Sequence, residues 1–197
     1  MFKILIATKN PAKFDEITSY LKVPAMFLSL KDLNITEEPV EDGKTFKENA
    51  LIKARFYCQK SELTTISDDG GLIIDTLNGE PGVKSHRWID DSRDNNDEDL
   101  INYTLKRMEG KIDRTAKFHV AIALVTPKRK EFVSEAEVEG IIQTKVSPKR
   151  IKGYPYRALF YFPKLNKYYD ELSETEHDIL NHRKNALIKI KEVLESQ

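Results

Sequence analysis

The first 21 residues join a strand-like run directly to a helical segment, and this alternation recurs along the chain. Residues 2–7 are apolar except for Lys3, which is typical of a buried strand. Asn10 is a suitable helix N-cap, and Pro11 occupies the first helical position, where a missing N–H has no effect. The pattern therefore predicts a helix from Pro11 to about Leu21, packed in a fold of the α/β class.

Further helical and strand-like segments follow. A capping box formed by Thr45 and Glu48 predicts a second helix that extends to about Gln59. Apolar periodicity predicts two more helices, at 94–109 and 181–195, and two strands, at 116–125 and 132–142. No repeat or flexible linker separates these segments. We therefore expect one mixed α/β unit.

Charge and cysteine content exclude several functional classes. The 197 residues include 32 basic and 32 acidic side chains, so the balance disfavours a nucleic-acid partner bound through a global positive field. The single cysteine, Cys58, excludes an internal disulfide and a multi-cysteine zinc site. No apolar run approaches the roughly 18 residues that a membrane helix needs. The expectation is a cytoplasmic protein that contacts neither nucleic acid nor membrane.

Two adjacent carboxylates, Asp68 and Asp69, follow a short β-like run and precede Gly70 and Gly71. A second apolar run begins at Leu72, so the pattern predicts a hairpin whose glycines are free to adopt positive φ. Acids at the end of a strand are held in place by rigid backbone, as a Mg²⁺ site requires. A solvated hairpin without a ligand is the alternative for this stretch taken alone.

The start of the first predicted helix is a candidate phosphate site, because helix N-termini attract anions. Thr8 and Asn10 offer hydrogen bonds there, and Lys13 adds a positive charge one turn into the helix. Asn49 and Lys53 lie one turn apart on the second predicted helix. An ordinary N-cap with solvated lysines is the alternative.

Four acids before the second helix are candidates for a further Mg²⁺ ligand, and the spacing does not choose among Glu37, Glu38, Glu41 and Asp42. Two side chains at the last helix start, His182 and Arg183, suit contact with a base or a phosphate. Aromatic residues that offer a stacking face for a base, with core packing as the alternative, are Tyr154, Tyr156 and Trp88.

In order, these segments resemble the motifs of the inosine/xanthosine triphosphate pyrophosphatase family, hydrolases of non-standard purine nucleotides. The resemblance covers nearly the whole chain. It is carried by Thr8-x-Asn10-x-x-Lys13, Phe46-x-Glu48-Asn49-Ala50-x-x-Lys53-Ala54, Ser67-Asp68-Asp69-Gly70-Gly71-Leu72, Gly153-Tyr154-x-Tyr156 and His182-Arg183-x-x-Ala186. Each motif is weak alone, whereas five in the same order are specific.

For the reacting end of the substrate, the resemblance implies one role per position. Asp69 corresponds to the general base and Asp68 to a supporting acid. Glu41 together with Asp69 corresponds to the Mg²⁺ site. Lys13 and Lys53 correspond to the lysines that hold the triphosphate.

For the base, the resemblance makes Tyr154 the stacking aromatic. His182 and Arg183 correspond to the groups that recognise a purine 6-oxo group, and Arg87 to an assisting group. The remaining implied substrate-binding positions are Thr8, Asn10, Asn49, Gly70, Tyr156 and His177.

The chain departs from the family pattern at four positions. Gly70 stands where serine is usual, and His177 where a substrate-binding lysine is usual. Pro155 and Arg157 replace a small residue and an aspartate. Three of these changes lie in the carboxy-terminal block, so the phosphate and metal half is better supported than the base specificity.

The resemblance also implies the overall organisation. It predicts a single domain, 1–197, with a mixed, twisted central sheet flanked by helices and two lobes around an active-site cleft. It implies a homodimer that hydrolyses dITP or XTP to the monophosphate and pyrophosphate with Mg²⁺. A pyrophosphatase for another nucleotide and a non-catalytic nucleotide sensor are the alternatives.

Overall fold

A computed structural model describes residues 2–90 and 95–196. The strands are β1 (Phe2–Ile6), β2 (Ala25–Ser29), β3 (Thr64–Ile74), β4 (Thr115–Val125), β5 (Glu131–Ile142), β6 (Phe160–Phe162) and β7 (Lys167–Tyr168). The α-helices are α1 (Pro11–Leu21), α2 (Phe46–Ser61), α3 (Asp97–Arg107), α4 (Glu174–Leu180) and α5 (His182–Glu195).

The strands form a seven-stranded sheet in the order β2-β1-β3-β4-β5-β6-β7. β1 is parallel to both β2 and β3, whereas β6 is antiparallel to β5 and β7. The sheet is therefore mixed, and the predicted α/β class with a mixed central sheet and flanking helices is confirmed. Among the described residues, no helix combines the length and apolarity needed to cross a membrane.

The chain divides into two compact units, and the first comprises residues 1–70, 120–136 and 182–197. Its core is aliphatic: Ile6 of β1, Ile66 of β3 and Ile122 of β4 are fully buried. Ile17 of α1 and Leu187 of α5 join the same cluster, and these two helices pack against each other. This packing fixes the starts of α1 and α5 relative to β3.

The second unit comprises residues 71–119 and 137–181. Its core is largely aromatic, and Phe118, Phe160 and Tyr169 are its central rings. The Phe118 and Phe160 centroids lie 4.4 Å apart. Tyr169 is fully buried against both of these rings, so the short turn that carries it is firmly anchored.

The predicted hairpin at the paired acids is wrong, because β3 runs without a break through Asp68, Asp69, Gly70 and Gly71. Neither glycine is among the positive-φ residues. A Cβ on Gly71 would lie 2.0 Å from Ser85 Oγ, so close packing rather than turn geometry requires glycine there. The acids therefore project from a continuous strand.

Other expectations for the elements are confirmed with small changes of boundary. The helix expected at 94–109 is observed as Asp97–Arg107, and its expected first residue, Asp94, lies outside the described residues. The sequence did not predict β2, the short strands β6 and β7, or α4. β2 is a short edge strand with no clear alternation of burial, and α4 is a seven-residue helix without a buried residue. Neither has the periodic apolar pattern from which elements are predicted.

Candidate active site

The start of α1 is organised by its own side chains. Asn10 Oδ1 accepts hydrogen bonds from the N–H groups of Ala12 at 2.9 Å and Lys13 at 3.4 Å, which confirms the predicted N-cap. The Asn10 N–H donates to Thr8 Oγ1 at 3.2 Å. Thr8 and Asn10 thus shape the loop that leads from β1 into α1, and Lys13 follows in the first helical turn.

Lys13 and Arg183 converge on one oxygen of Asp68. Lys13 Nζ lies 3.1 Å from Asp68 Oδ2, and Arg183 Nη2 and Nε lie 3.2 and 3.3 Å from it. The Asp68 side chain is 1% exposed. Burial alone would raise the pKa of this carboxyl, but Lys13 and Arg183 outweigh burial and hold the pKa well below its usual range. Asp68 is therefore a permanently ionised anchor for both cations.

Arg183 is also held by a second acid that the sequence reading missed. Its Nη1 lies 2.6 Å from Glu16 Oε2, with both side chains nearly buried. No local spacing predicts this pair, because Glu16 and Arg183 lie 167 residues apart in sequence. The guanidinium thus links α1 and α5 to β3. Recognition of a purine by Arg183 remains a prediction.

Lys53 of α2 bridges two acids. Its Nζ lies 2.8 Å from Glu41 Oε2 and 3.1 Å from Asp69 Oδ1. Burial would lower the pKa of this amine, but Asp69 and Glu41 raise it above its usual value, so the lysine stays charged. The ammonium shows that the two carboxylates point toward one cation position.

The loop that carries Glu41 is fixed to α2 by Asn49. The Gly43 N–H donates to Asn49 Oδ1 at 2.8 Å, and Asn49 is 2% exposed. A Cβ on Gly43 would lie 2.6 Å from that oxygen, so the loop requires glycine. Ser67 Oγ of β3 donates to the Ala50 carbonyl at 2.5 Å, which ties α2 to the strand of the paired acids.

Two of the four candidate acids, Glu37 and Glu38, pair with lysines other than Lys53. Glu37 lies 2.5 Å from Lys60 Nζ, and Glu38 lies 2.6 Å from Lys9 Nζ. Glu41 shares Lys53 with Asp69 and is therefore the acid that reaches the paired carboxylates.

Asp69 differs from Asp68 in the direction of its pKa shift and in its hydrogen bonding. Burial raises its pKa above the usual value, and the opposing attraction of Lys53 and Lys13 does not cancel that effect. Its Oδ2 is buried and has no hydrogen-bond partner among the described residues. Adjacent acids with opposite pKa shifts are typical of sites that divide an anchoring role from a proton-accepting role.

Mg²⁺ fits this set of donors. The unpartnered Oδ2 of Asp69 and the convergence of Glu41 and Asp69 on one cation are what an oxygen-ligated ion needs. Within residues 2–90 and 95–196, no three His, Cys, Asp or Glu side chains gather into a complete metal cage. Mg²⁺ commonly takes one or two protein carboxylates and completes its shell with substrate phosphates and water.

Four of the predicted site residues belong to the second unit: Arg87, Tyr154, Tyr156 and His177. Tyr156 is in the core, and its hydroxyl donates to the Ser85 carbonyl. Trp88 is also buried there, with its Nε1 donating to Glu80 at 3.0 Å. Of the three aromatic candidates for base stacking, Tyr154 alone is partly exposed.

The first unit contains the other predicted positions, which are Thr8, Asn10, Lys13, Glu41, Asn49, Lys53, Asp68, Asp69, Gly70, His182 and Arg183. The ion pairs described above join Lys13 and Arg183 to Asp68, and join Glu41 and Asp69 to Lys53. His182 is buried at the start of α5, beside Arg183 in sequence.

The fold and this cluster of lysines and carboxylates define a class of α/β protein whose charged site suits a phosphorylated ligand. Residues 4–193 match the model of the Ham1 family. The chain is 40% identical to the dITP/XTP pyrophosphatase of Thermoanaerobacter pseudethanolicus over 96% of this chain and 94% of that protein. It is 35% identical to the dITP/XTP pyrophosphatase of Bacillus subtilis over 100% and 98% of the two chains.

A solved HAM1 protein from Coxiella burnetii superimposes with a TM-score of 0.88 at 31% identity, over 100% of both chains. The chain belongs to the Ham1 family.

Proposed function

We propose that the chain hydrolyses non-standard purine nucleoside triphosphates, such as dITP and XTP, to the monophosphate and pyrophosphate with Mg²⁺. Relatives matched over nearly their whole length are dITP/XTP pyrophosphatases. The observation that carries the proposal is the pair of neighbouring acids with opposite pKa shifts, Asp68 among cations and Asp69 with an unpartnered oxygen.

The triphosphate would be held by the cations of the first unit. Lys13, in the first turn of α1, suits one part of the phosphate chain through its charge and the favourable dipole of the helix start. Lys53 suits another, and the arrival of a phosphate would give its ammonium a partner besides Glu41 and Asp69. Arg183 and Glu16 keep Asp68 in place while Lys13 contacts the substrate.

Asp69 would take the proton from the water that attacks the α-phosphorus, with pyrophosphate as the leaving group. Its raised pKa makes it a better proton acceptor than Asp68, whose charge is committed to Lys13 and Arg183. Mg²⁺, when bound at Glu41 and Asp69, supplies neutralisation of the phosphate charge. General-base help is typically worth about 10²–10⁴-fold, so the lysines must contribute through positioning and charge.

A cytoplasmic homodimer is part of the proposal, supported by the family resemblance. Light scattering coupled to size exclusion at several protein concentrations tests the assembly. A mass near 22.8 kDa at every concentration would contradict the dimer.

The test of the activity compares dITP, XTP, dGTP, dATP and dUTP, each with Mg²⁺ and with EDTA, by pyrophosphate release. The expected result is Mg²⁺-dependent turnover of dITP and XTP well above the other three. Equal rates on all five would contradict the purine selectivity. Tight binding of dITP without turnover would favour the sensor, and preferential turnover of dUTP would favour a pyrophosphatase for another nucleotide.

A further inference from the structure

A buried acid outside the phosphate site lacks a hydrogen-bond partner within residues 2–90 and 95–196. Asp170 lies in a short 3-10 turn, Tyr169–Glu171, and is 4% exposed. Neither of its carboxylate oxygens accepts a hydrogen bond from the described residues. Burial of an unpaired carboxylate carries a large desolvation penalty, so such a group in a folded protein calls for an explanation.

The charge that compensates Asp170 is Arg157 of the same unit, whose guanidinium lies over two tyrosine rings. Its guanidinium carbon lies 3.7 Å from the Tyr154 ring centroid and 4.8 Å from the Tyr169 centroid. Arg157 is 6% exposed. A planar guanidinium stacks on an aromatic face in a way that a lysine ammonium does not, so this position uses the shape of arginine as well as its charge.

The turn that carries Arg157 contacts the turn that carries Asp170, and Arg157 lies over Tyr169, the residue before Asp170. The two opposite charges therefore attract each other within this cluster. Burial raises the pKa of Asp170 to about 6, and Arg157 followed by Lys149 opposes that rise. The Ile151 N–H also lowers the pKa, without the geometry of a hydrogen bond. At neutral pH the carboxylate is therefore ionised and pulls on the guanidinium through charge, with no hydrogen bond to fix the pair.

Tyr154 is the partly exposed member of the cluster, and Arg157 lies against its ring. We propose that Asp170 holds Arg157 against one face of Tyr154 and thereby fixes the ring as a stacking wall for the purine base of the substrate. Asp170 and Arg157 are then positioning residues for base selection. This inference rests on the proposed function, because the ligand is the base of that triphosphate.

A fixed ring binds a base more tightly than a mobile ring, because less freedom is lost on binding. Stacking also favours a purine over a pyrimidine, since the larger ring system covers more of the tyrosine face. The pair therefore affects nucleotides through the base alone, and a ligand without a base is unaffected.

The experiment compares Asp170→Asn and Arg157→Lys with two exposed controls, Glu174→Gln and Arg150→Lys. The measurements are kcat and KM for dITP, the inhibition constant of inorganic tripolyphosphate, and the dissociation constant of dIMP by calorimetry. For each test variant we expect KM and the dIMP constant to rise about 3- to 10-fold, with kcat within about twofold. Tripolyphosphate inhibition should be unchanged, and the controls should match the parent protein.

A second comparison separates positioning from a general loss of structure. In a Tyr154→Ala background, Asp170→Asn should have no further effect on dIMP binding, because the ring on which it acts is absent. An equal effect of Asp170→Asn with and without the Tyr154 ring would overturn the proposal, as would unchanged dIMP binding in the single variants. Absence of turnover in the parent protein would instead contradict the proposed function, and dIMP binding would still decide this inference.

Discussion

Each unit of the molecule buries an arginine and an aspartate that attract each other, and the two pairs differ in their hydrogen bonds. In the first unit, Arg183 donates two hydrogen bonds to Asp68, whose pKa is held below its usual range. In the second unit, Asp170 accepts no hydrogen bond among the described residues, and its pKa is raised to about 6 despite Arg157. The same two residue types therefore give a fixed charge in one place and an adjustable charge in the other.

Hydrogen bonds account for the difference in pKa between Asp68 and Asp170. A buried charge pair is favourable when geometry is good and its remaining donors and acceptors are satisfied. Asp68 has Lys13 as well as Arg183, and Arg183 has Glu16 as well as Asp68. We expect the first pair to determine stability and phosphate binding, and the second to tune selection of the base.

The largest effect is expected at Asp69, the proposed proton acceptor, which follows the ionised Asp68 in the sequence. Replacing Asp69→Asn should lower kcat for dITP by about 10³-fold, because the amide cannot accept the proton from water. Asp75→Asn, an exposed acid just beyond the same strand, is the control. Pyrophosphate release under saturating substrate is the measurement, and activity near that of the control would remove Asp69 from the mechanism.

The next effect concerns stability. Replacing Asp68→Asn should lower the free energy of unfolding by about 3 kcal/mol, because Lys13 and Arg183 lose the carboxylate that compensates them. Urea denaturation at pH 7.5 measures the change, with the exposed Asp15→Asn as control. A loss no larger than that of Asp15→Asn would mean that Asp68 is not the anchor.

The third prediction is that Asp170 makes the stability of the protein depend on pH. The folded-state pKa of Asp170, about 6, lies above that of an aspartate in the unfolded chain, about 3.9, so its contribution to stability is fully present below about pH 4 and is lost as pH rises through 6. Relative to Asp170→Asn, the parent protein should lose about 2 kcal/mol of stability between pH 4.5 and pH 7.5. Urea denaturation of both proteins across this range measures it, and a constant difference would show that Asp170 does not have a raised pKa.

The smallest effect concerns the loop that carries Glu41. A methyl group at position 43 would crowd Asn49 Oδ1, so Gly43→Ala should displace the loop. We expect the Mg²⁺ concentration for half-maximal activity to rise about tenfold, with less change in rate at saturating Mg²⁺. Lys44→Ala, an exposed neighbour, is the control. An unchanged Mg²⁺ requirement would argue that Glu41 is not a ligand.

Much of the fold was predictable because its elements carry local signals. Asn10 before Pro11 marks the start of α1, and the Thr45–Glu48 capping box marks the start of α2, as observed. The strand through Gly70 and Gly71 was misread, because the close approach of Ser85 is a tertiary contact that spacing does not show. β2 and α4 were missed for lack of periodic burial.

The motifs predicted which residues belong to the site, but they did not predict which of these residues contact one another. The sequence left open which acid joins Asp69, and the bridge through Lys53 selects Glu41. Glu16 was missed because its role depends on Arg183, which lies 167 residues away. Asp170 was missed for a similar reason, since nothing in its local sequence indicates burial without a hydrogen-bond partner.

The central claim is that water, activated by Asp69, attacks the α-phosphorus with pyrophosphate as the leaving group. Hydrolysis of dITP in ¹⁸O-labelled water, followed by mass spectrometry of both products, tests it directly. The account predicts one ¹⁸O atom in dIMP and none in pyrophosphate. Label in the pyrophosphate, or release of inorganic phosphate as the first product, would contradict it.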